Sequence, residues 1–200
     1  MESYPLCVFW VAGVVLVAGA PFAGPYIGYV DRFIDFCAEK DYNHIAELEA
    51  QITRFNPNKP FALQAITGNF TYTGNRGFDD TYWSRFRLDS RSSDDRGWIN
   101  NAFVFNFPAK GCSALRDNIP DFARVMIGEA FVNSPSCLVK PGVYIVDNQP
   151  VNWSFPNVPI MPYGHWRAHI AYGKIKSPTA DFCASFEAHT IPRPKQAHKG

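Results

Sequence analysis

The sequence has almost no net charge and none of the short motifs that hold phosphates or activate nucleophiles. Its 19 Lys and Arg residues against 18 Asp and Glu give a formal charge of +1. The basic residues are scattered, so the charge pattern gives no reason to expect nucleic acid as a partner. No G-x-S-x-G, G-x-G-x-x-G or phosphate-binding glycine loop occurs. We therefore expect neither an enzyme nor a cofactor.

Long hydrophobic runs are also scarce, and the single one lies at the amino terminus. It extends from Leu6 to Ala20 without a charged residue, which is shorter than the roughly 20 residues that normally span a bilayer. Small residues close it in the A-x-A-like order Ala18-Gly19-Ala20. We predict a secretory signal peptide over residues 1–20 with an approximate cleavage site; an uncleaved anchor is the alternative. The mature protein is then secreted or, alternatively, resident in the lysosomal lumen.

Cysteine is sparse, and its spacing does not favour a metal site. Removal of the signal peptide takes Cys7 and leaves Cys37, Cys112, Cys137 and Cys183. An even number in an exported chain predicts two disulfides, with three possible pairings. No C-x-x-C pair occurs and the four residues are far apart, so zinc is a poor alternative.

Aromatic side chains, in contrast, are plentiful and recur at every second position. Phenylalanine alone contributes 17 residues, and large rings are favoured in strands and packed cores. The 16 prolines and 14 glycines indicate frequent turns and disfavour long helices. Apolar and polar residues alternate, as in half-buried strands, over residues 61–73, 81–88, 99–107, 166–172 and 182–189.

One stretch follows helical spacing instead. From Asp121 to Phe131 the apolar residues recur three to four positions apart, and Asn118 and Pro120 are typical helix-start residues. We therefore predict an all-β protein with seven or so short strands and one short helix. The expected architecture is an immunoglobulin-like antiparallel sandwich of two sheets. Residues 193–200 are polar and are expected to form a disordered tail.

Two sequons, Asn69-Phe-Thr71 and Asn152-Trp-Ser154, predict N-glycosylation in an exported chain. A glycan must face water. Asn69 therefore belongs to the outer face of its predicted strand, and a glycan on Asn152 would direct Trp153 and Phe155 inward.

Two groups of polar residues are candidates for chemistry. His165 and His169 lie four positions apart and face one side of a strand or a helix. No Glu follows the first histidine and no third ligand is evident, so we expect an outward strand face rather than a metal site. The pairs Asp79-Asp80 and Asp94-Asp95 lie in turns, where Asp is common. A two-carboxylate hydrolase would require these turns to converge in a cleft. We predict no catalytic residue and no metal.

The C-terminal half carries a more specific pattern. Cys137-Leu-Val-Lys-Pro-Gly-Val-Tyr144 is followed by the proline-rich apolar segment 156–162, then by Tyr163-Gly-His-Trp-Arg167 and by Asp181-Phe-Cys-Ala-Ser-Phe186. This order of motifs resembles the ML-type lipid-recognition family, which includes the ganglioside activator protein and many secreted arthropod proteins.

Motifs further upstream resemble the arthropod branch of that family. They are Arg54-Phe-Asn56, Ala62-Leu63, Gly68-Asn-Phe-Thr71 and Gly111-Cys112. The resemblance covers residues 31–192. It implies a sandwich whose sheets splay apart to hold acyl chains in an apolar cavity. It also implies the disulfides Cys37–Cys183 and Cys112–Cys137.

Residues of inward parity are our candidates for the cavity wall, with plain core packing as the alternative for each. These candidates are Ile66, Phe70, Phe86, Phe103, Phe105, Phe122, Met126, Trp153, Phe155, Trp166, Ile170 and Phe186. Val158, Ile160 and Met161 belong to an apolar loop. This loop is either a rim that admits the ligand and touches membranes or a crossover that its prolines pin in place.

The sequence thus predicts a secreted carrier for a lipid or other apolar small molecule, with transient membrane-surface or receptor contact. One alternative is a secreted protein-interaction module with a closed core, which binds a receptor or other protein through the loop at 156–162. A cavity-sized volume between the sheets favours the carrier, and a tightly packed interior favours the interaction module. The third hypothesis is an extracellular hydrolase that uses the Asp pairs.

Overall fold

Antiparallel β-strands account for most of the residues that the structure describes. The computed structural model describes residues 22–34, 37, 39 and 42–194. The predicted signal peptide, residues 1–20, and residues 195–200 of the predicted tail lie outside the described residues. The elements of the described chain, in order, are β1 (Ala23–Gly24), β2 (Tyr26–Ile34), β3 (Ala46–Ile52), β4 (Gln64–Tyr72), β5 (Phe78–Asp79), β6 (Tyr82–Arg91), β7 (Trp98–Phe107), α1 (Gly111–Asn118), α2 (Pro120–Ile127), α3 (Glu129–Val132), β8 (Leu138–Val139), β9 (Gly142–Val151), β10 (Met161–Pro162), β11 (Gly164–Lys174) and β12 (Phe182–Pro192).

The strands form two principal sheets. One has five strands in the order β2-β12-β11-β6-β7, and the other has three in the order β3-β4-β9. All neighbouring strands in both sheets are antiparallel. Two short ladders, β1 with β10 and β5 with β8, are antiparallel as well. The predicted all-β, antiparallel character is confirmed, and each of the five segments with alternating patterns contains a strand.

The single predicted helix is replaced by three short ones in the described chain. Helix α2 begins at Pro120 and ends before Gly128, whose φ of 111° is a conformation that glycine adopts readily. The predicted helix to Phe131 is therefore interrupted, and α3 follows as a separate turn. Helix α1 was not predicted, because its start depends on a distant residue. The Asp80 carboxylate accepts hydrogen bonds from the backbone N–H and the hydroxyl of Ser113, which stabilises the N-terminal turn.

Apolar side chains from both principal sheets share the same core clusters. Val30 of the five-stranded sheet packs in one cluster with Ile66 and Val146 of the three-stranded sheet, and Met126 of α2 joins them. A second cluster groups Tyr172 with residues of α1 and of both sheets. The helices contribute apolar side chains to both clusters.

Two disulfides, Cys37–Cys183 and Cys112–Cys137, each have a Cα–Cα distance of 5.7 Å. They are the pairs that the family resemblance implies. The first ties residue 37 to β12, and the second ties α1 to the segment before β8. Among the described residues, none of the helices has both the length and the apolar character needed to cross a membrane.

Candidate functional site

An apolar pocket of about 60 Å³ is lined by both principal sheets and by the helices. Phe33 of β2 and Phe186 of β12 represent the five-stranded sheet, Leu48 of β3 and Phe70 of β4 the three-stranded sheet, and Phe122 belongs to α2. The remaining lining residues are Ala46, Tyr72, Phe78, Tyr82, Leu115, Met126, Ile127, Val139, Ile170, Tyr172, Asp181, Phe182 and Ala184. We call this space the first pocket.

Two buried polar atoms at the first pocket have no hydrogen-bond partner among the described residues. They are the Tyr172 hydroxyl and Asp181 Oδ2, and their residues are only 5% and 4% exposed. The other carboxylate oxygen, Asp181 Oδ1, accepts a hydrogen bond of 2.6 Å from Asn43 Nδ2. Burial raises the pKa of Tyr172, so its hydroxyl remains protonated and able to donate at neutral pH. Both residues line the first pocket, but the surface that the pocket exposes is entirely apolar.

Five of the twelve predicted wall residues line the first pocket. These five are Phe70, Phe122, Met126, Ile170 and Phe186. Ile66, Phe86 and Trp166 lie in the surrounding core clusters instead. Phe103 and Phe105 lie on the edge strand β7, where they are 37% and 41% exposed.

The predicted apolar loop lies at a second pocket of about 260 Å³, which shares no lining residue with the first. Trp153, Phe155 and Val158 line it, whereas Ile160 is 61% exposed and Met161 is buried. The Trp153 ring lies 5.7 Å from Phe122 and 6.2 Å from Phe186, centroid to centroid. Because both phenylalanines line the first pocket, Trp153 is part of the wall between the two pockets. The Tyr29, Phe55, Phe61 and Arg193 side chains complete much of the second pocket.

Both predicted glycosylation sites have their asparagine at the surface, to different degrees. Asn152 is exposed at the end of β9, next to the buried Trp153. Asn69 is half-buried in the middle of β4, where its Nδ2 donates a 3.2 Å hydrogen bond to Glu49. A glycan on Asn69 would replace that contact.

His169 lies on the outer face of the five-stranded sheet but is buried there. Its side chain is 3% exposed; Nδ1 lies 2.7 Å from the Ser185 hydroxyl, and Nε2 lies 3.1 Å from Asp89 Oδ2. Arg167 donates to the same carboxylate oxygen at 2.7 Å. Burial lowers the pKa of His169, and the neighbouring Asp89 acts in the opposite direction. Burial acts to raise the pKa of Asp89, but its hydrogen bonds outweigh this effect and hold the pKa below its usual value.

This Ser185–His169–Asp89 array contains the residue types of a hydrolytic triad, but a substrate has no route to it. Ser185, His169 and Asp89 are 2%, 3% and 4% exposed, respectively, and none of them lines either pocket. The array instead joins β6, β11 and β12 across the outer face of the five-stranded sheet.

The two Asp pairs do not converge. Asp79 and Asp80 precede β6, and Asp94 and Asp95 follow its far end. Asp80 caps α1, Asp79 accepts a hydrogen bond from Thr81 N, and Asp94 accepts one from Ser92. Ten strand residues separate the pairs, which corresponds to roughly 30 Å. The cleft that the hydrolase hypothesis requires is therefore not formed by these turns.

Several residues of the first pocket have no counterpart among the sequence-derived candidates. Phe33 lies on β2 and Leu48 on β3, and neither segment was predicted as a strand. Tyr72, Tyr172 and Phe182 do lie in predicted strands with inward parity, so that parity is the signal that could have identified them.

No protein-family model matches the chain, and no curated protein matches its sequence. The resemblance to the ML-type family therefore rests on the residue motifs alone.

Proposed function

We propose that the protein is a secreted carrier for a lipid or another apolar ligand, held between two sheets of an immunoglobulin-like, ML-type sandwich. The supporting observation is the first pocket, whose aromatic and aliphatic lining comes from both principal sheets. Each methylene that leaves water contributes about 0.8 kcal/mol, so a long acyl chain supplies on the order of 10 kcal/mol. That is sufficient for micromolar or tighter binding after association costs. The proposal assigns the protein no catalytic step and no cofactor.

The size of the first pocket sets a requirement on binding. Its volume of about 60 Å³ is below the roughly 300–1,000 Å³ of typical small-molecule sites. An acyl chain is admitted only if side chains rotate or the strands move apart. Phe33, Phe70, Phe122 and Phe186 are half-buried, and their rings are the groups whose rotation would enlarge the space.

The polar atoms of the first pocket favour a particular ligand chemistry. Asp181 Oδ2 is a buried acceptor without a partner among the described residues, and leaving such a group unpaired costs about 1–3 kcal/mol or more. Once the pocket widens, a hydroxyl or amino group on the ligand would donate to Asp181 Oδ2, and the Tyr172 hydroxyl would donate to a ligand oxygen. We therefore favour an apolar molecule with one hydroxyl or amino group, such as a fatty alcohol or a sterol-like compound.

Mass spectrometry of the protein secreted from eukaryotic cells tests this function. The intact protein is sprayed under gentle conditions, then denatured and extracted with organic solvent. A stoichiometric lipid in both measurements supports the carrier. A protein that arrives without lipid, and that also fails to take up added fatty alcohols and fluorescent fatty acids, contradicts it.

A variant that fills the first pocket locates the ligand. Ala184 is a half-buried lining residue on β12, so Ala184→Phe is expected to reduce the bound lipid at least tenfold. Ala102→Phe is the matched control, because Ala102 is exposed on β7 and lines neither pocket. Equal lipid occupancy in both variants would place the ligand outside the first pocket.

The second candidate function is a protein-interaction module, and two observations favour it. The first pocket is small, and Ile160 of the apolar loop is 61% exposed. If the protein is an interaction module, we expect no lipid in the organic-solvent extract. We also expect Ile160→Asp to abolish the capture of a protein partner while leaving the fold intact.

A further inference from the structure

A cluster of metal-binding side chain types lies on the outer face of the five-stranded sheet, next to Tyr29 of the second pocket. His165 of β11 and His189 of β12 are directly opposite each other in the antiparallel register. Their rings are stacked, with centroids 4.2 Å apart and an interplanar angle of 13°. Direct cross-strand neighbours are the closest side chain pairs of a sheet, so the register of the two strands alone brings the two imidazoles together.

Asp31 reaches the same cluster through a β-bulge. On β2, Val30 pairs with Ala188 and Arg32 pairs with Glu187, so Asp31 has no cross-strand partner. Such an extra residue redirects its side chain. The Asp31 Oδ2 atom lies 2.7 Å from His189 Nε2. One ligand atom from each of Asp31, His165 and His189 lies within 4.8 Å of the other two.

The ring nitrogen His165 Nε2 is the unexplained atom of the cluster. It is buried and has no hydrogen-bond partner among the described residues. The nearest carboxylate oxygen, Glu187 Oε2, is 3.7 Å away, which is too far for a hydrogen bond. The Glu187 carboxylate is instead bound by Arg32 at 3.0 Å. A buried nitrogen in such a position requires an account, and a cation between the imidazoles and carboxylates would provide one.

Aromatic neighbours hold both imidazoles in position. Trp98 of β7 meets the His165 ring edge-on at a centroid distance of 5.0 Å. The Tyr29 ring stacks on the His189 ring with a centroid distance of 5.0 Å. The Phe55 ring stacks on Tyr29 in turn, with a centroid distance of 4.0 Å. Both imidazoles therefore pack against aromatic side chains.

We propose that His165, His189 and Asp31 form a Zn²⁺ site, with a water molecule as the fourth ligand. Imidazole nitrogen and carboxylate oxygen are common zinc ligands, and three protein ligands with water in the fourth position are a usual zinc arrangement. Tetrahedral ligands about 2.0–2.1 Å from zinc lie about 3.4 Å from one another. The ligand atoms of Asp31, His165 and His189 now lie within 4.8 Å of one another, so zinc binding requires these side chains to turn toward a common centre.

Titration of the tag-free secreted protein with Zn²⁺ in a calorimeter, and with Co²⁺ as a spectroscopic probe, tests the site. We expect one equivalent to bind and Co²⁺ to give the intense visible absorption of tetrahedral coordination. His165→Gln and His189→Gln each weaken Zn²⁺ affinity at least tenfold. His44→Gln is the matched control, since His44 is exposed and distant from these strands in sequence, and it leaves the affinity unchanged. Absence of binding by the wild type, or equal affinity in all variants, overturns the proposal.

A second measurement needs no substitution and so does not depend on the folding of variants. Diethyl pyrocarbonate modifies accessible imidazoles, and peptide mapping identifies each modified residue. Saturating Zn²⁺ is expected to protect His165 and His189 at least fivefold while His44 reacts at its original rate. Uniform protection of all three, or protection of none, contradicts a zinc site at this position. Because both readouts are independent of the first pocket, failure of the zinc site and failure of the lipid-carrier function are distinguishable.

Discussion

Gln64 joins the two principal sheets through its side chain. Its Oε1 accepts a 2.9 Å hydrogen bond from Val30 N, and its Nε2 donates to Val30 O and Thr53 O, each at 2.7 Å. Val30 lies on β2, an edge strand of the five-stranded sheet, so the amide group of Gln64 replaces the missing neighbouring strand. Gln64 is only 4% exposed, and water has little access to these groups.

Substitution of this residue is expected to be costly. Gln64→Met keeps the length of the side chain but leaves the buried N–H and C=O of Val30 unpaired, which should lower the free energy of unfolding by about 2–4 kcal/mol. Urea denaturation followed by circular dichroism measures the loss. Gln51→Met is the control: Gln51 is exposed on β3, and we expect a change within about 0.5 kcal/mol. Similar decreases in the free energy of unfolding of the two variants would show that the Gln64 hydrogen bonds between the sheets do not stabilise the fold.

His169 makes stability depend on pH in a defined direction. Its pKa is lowered in the folded protein, chiefly by burial, so the unfolded chain binds a proton more readily than the folded one. Stability is therefore fully present above the ordinary value of 6.5 and decreases as the pH falls below it, by at most about 1.4 kcal/mol per pH unit. His165, whose pKa is also lowered, mainly by burial and then by His189, acts in the same direction.

Urea denaturation at several pH values between 7.5 and 5 is expected to show this decrease in the wild type. In His169→Gln the slope should be smaller, because a histidine whose pKa is lowered in the folded protein has been removed. A slope that is unchanged in His169→Gln would mean that protonation of this residue is not coupled to unfolding.

At the scale of whole elements, the pairing of β3 with β4 depends on a glycine. Gly68 pairs with Ala50 of β3 at a point where the β3 backbone approaches very closely. A Cβ atom at this position would clash with Glu49 O and would lie 2.7 Å from the Cα of Ala50. Both obstacles are backbone atoms, which cannot rotate away.

We therefore expect Gly68→Ala to lower the free energy of unfolding by about 1–3 kcal/mol. Gly97→Ala is the matched control, because no atom lies within 4 Å of its ideal Cβ position. Thermal unfolding of both variants measures the difference. A Gly68→Ala variant as stable as Gly97→Ala would show that the sheet accommodates the methyl group at no cost.

Two strands that the sequence did not predict, β2 and β9, break the two-residue period. In β2, the bulge at Asp31 separates the inward-facing residues Val30 and Phe33 by three positions. A strand pattern has a separation of two, so this segment did not indicate a strand. In β9, Val143 and Ile145 face solvent, whereas Val146 is buried. Apolar residues on both faces hide the alternation. Strands β11 and β12 keep the period and were predicted, whereas β3 keeps it as well and was not predicted.

For the molecule as a whole, parity predicts which residues share a face but not whether another layer covers that face. Phe70, Ile170 and Phe186 have inward parity, and the structure brings them to one pocket. Phe103 and Phe105 have equally regular spacing, yet they lie on an edge strand and remain exposed. Whether a second layer packs on a face depends on contacts between segments that are distant in sequence. A single sequence does not reveal those contacts. The cross-strand pair His165–His189 was missed for the same reason, since it requires the register of β11 with β12.

The two disulfides differ in how much of the molecule they hold and in how well they are protected. Cys37 and Cys183 are half-buried and 146 residues apart, whereas Cys112 and Cys137 are 0% and 8% exposed and 25 residues apart. By loop entropy the long loop contributes about 5 kcal/mol and the short one about 3.5 kcal/mol. A folded domain has only about 5–15 kcal/mol of net stability, so loss of the long-range bond removes much of it.

Mild reduction of the folded protein should therefore break Cys37–Cys183 first, because a reductant reaches half-buried sulfur atoms more easily than buried ones. Its loss destabilises the fold and exposes Cys112–Cys137, so the second bond follows quickly and the singly reduced species stays scarce. Alkylation of samples taken over time, followed by peptide mapping, identifies which cysteines were free at each point. Accumulation of molecules with Cys112 and Cys137 reduced but Cys37–Cys183 intact would contradict this order, because it would require the buried bond to be the more accessible one.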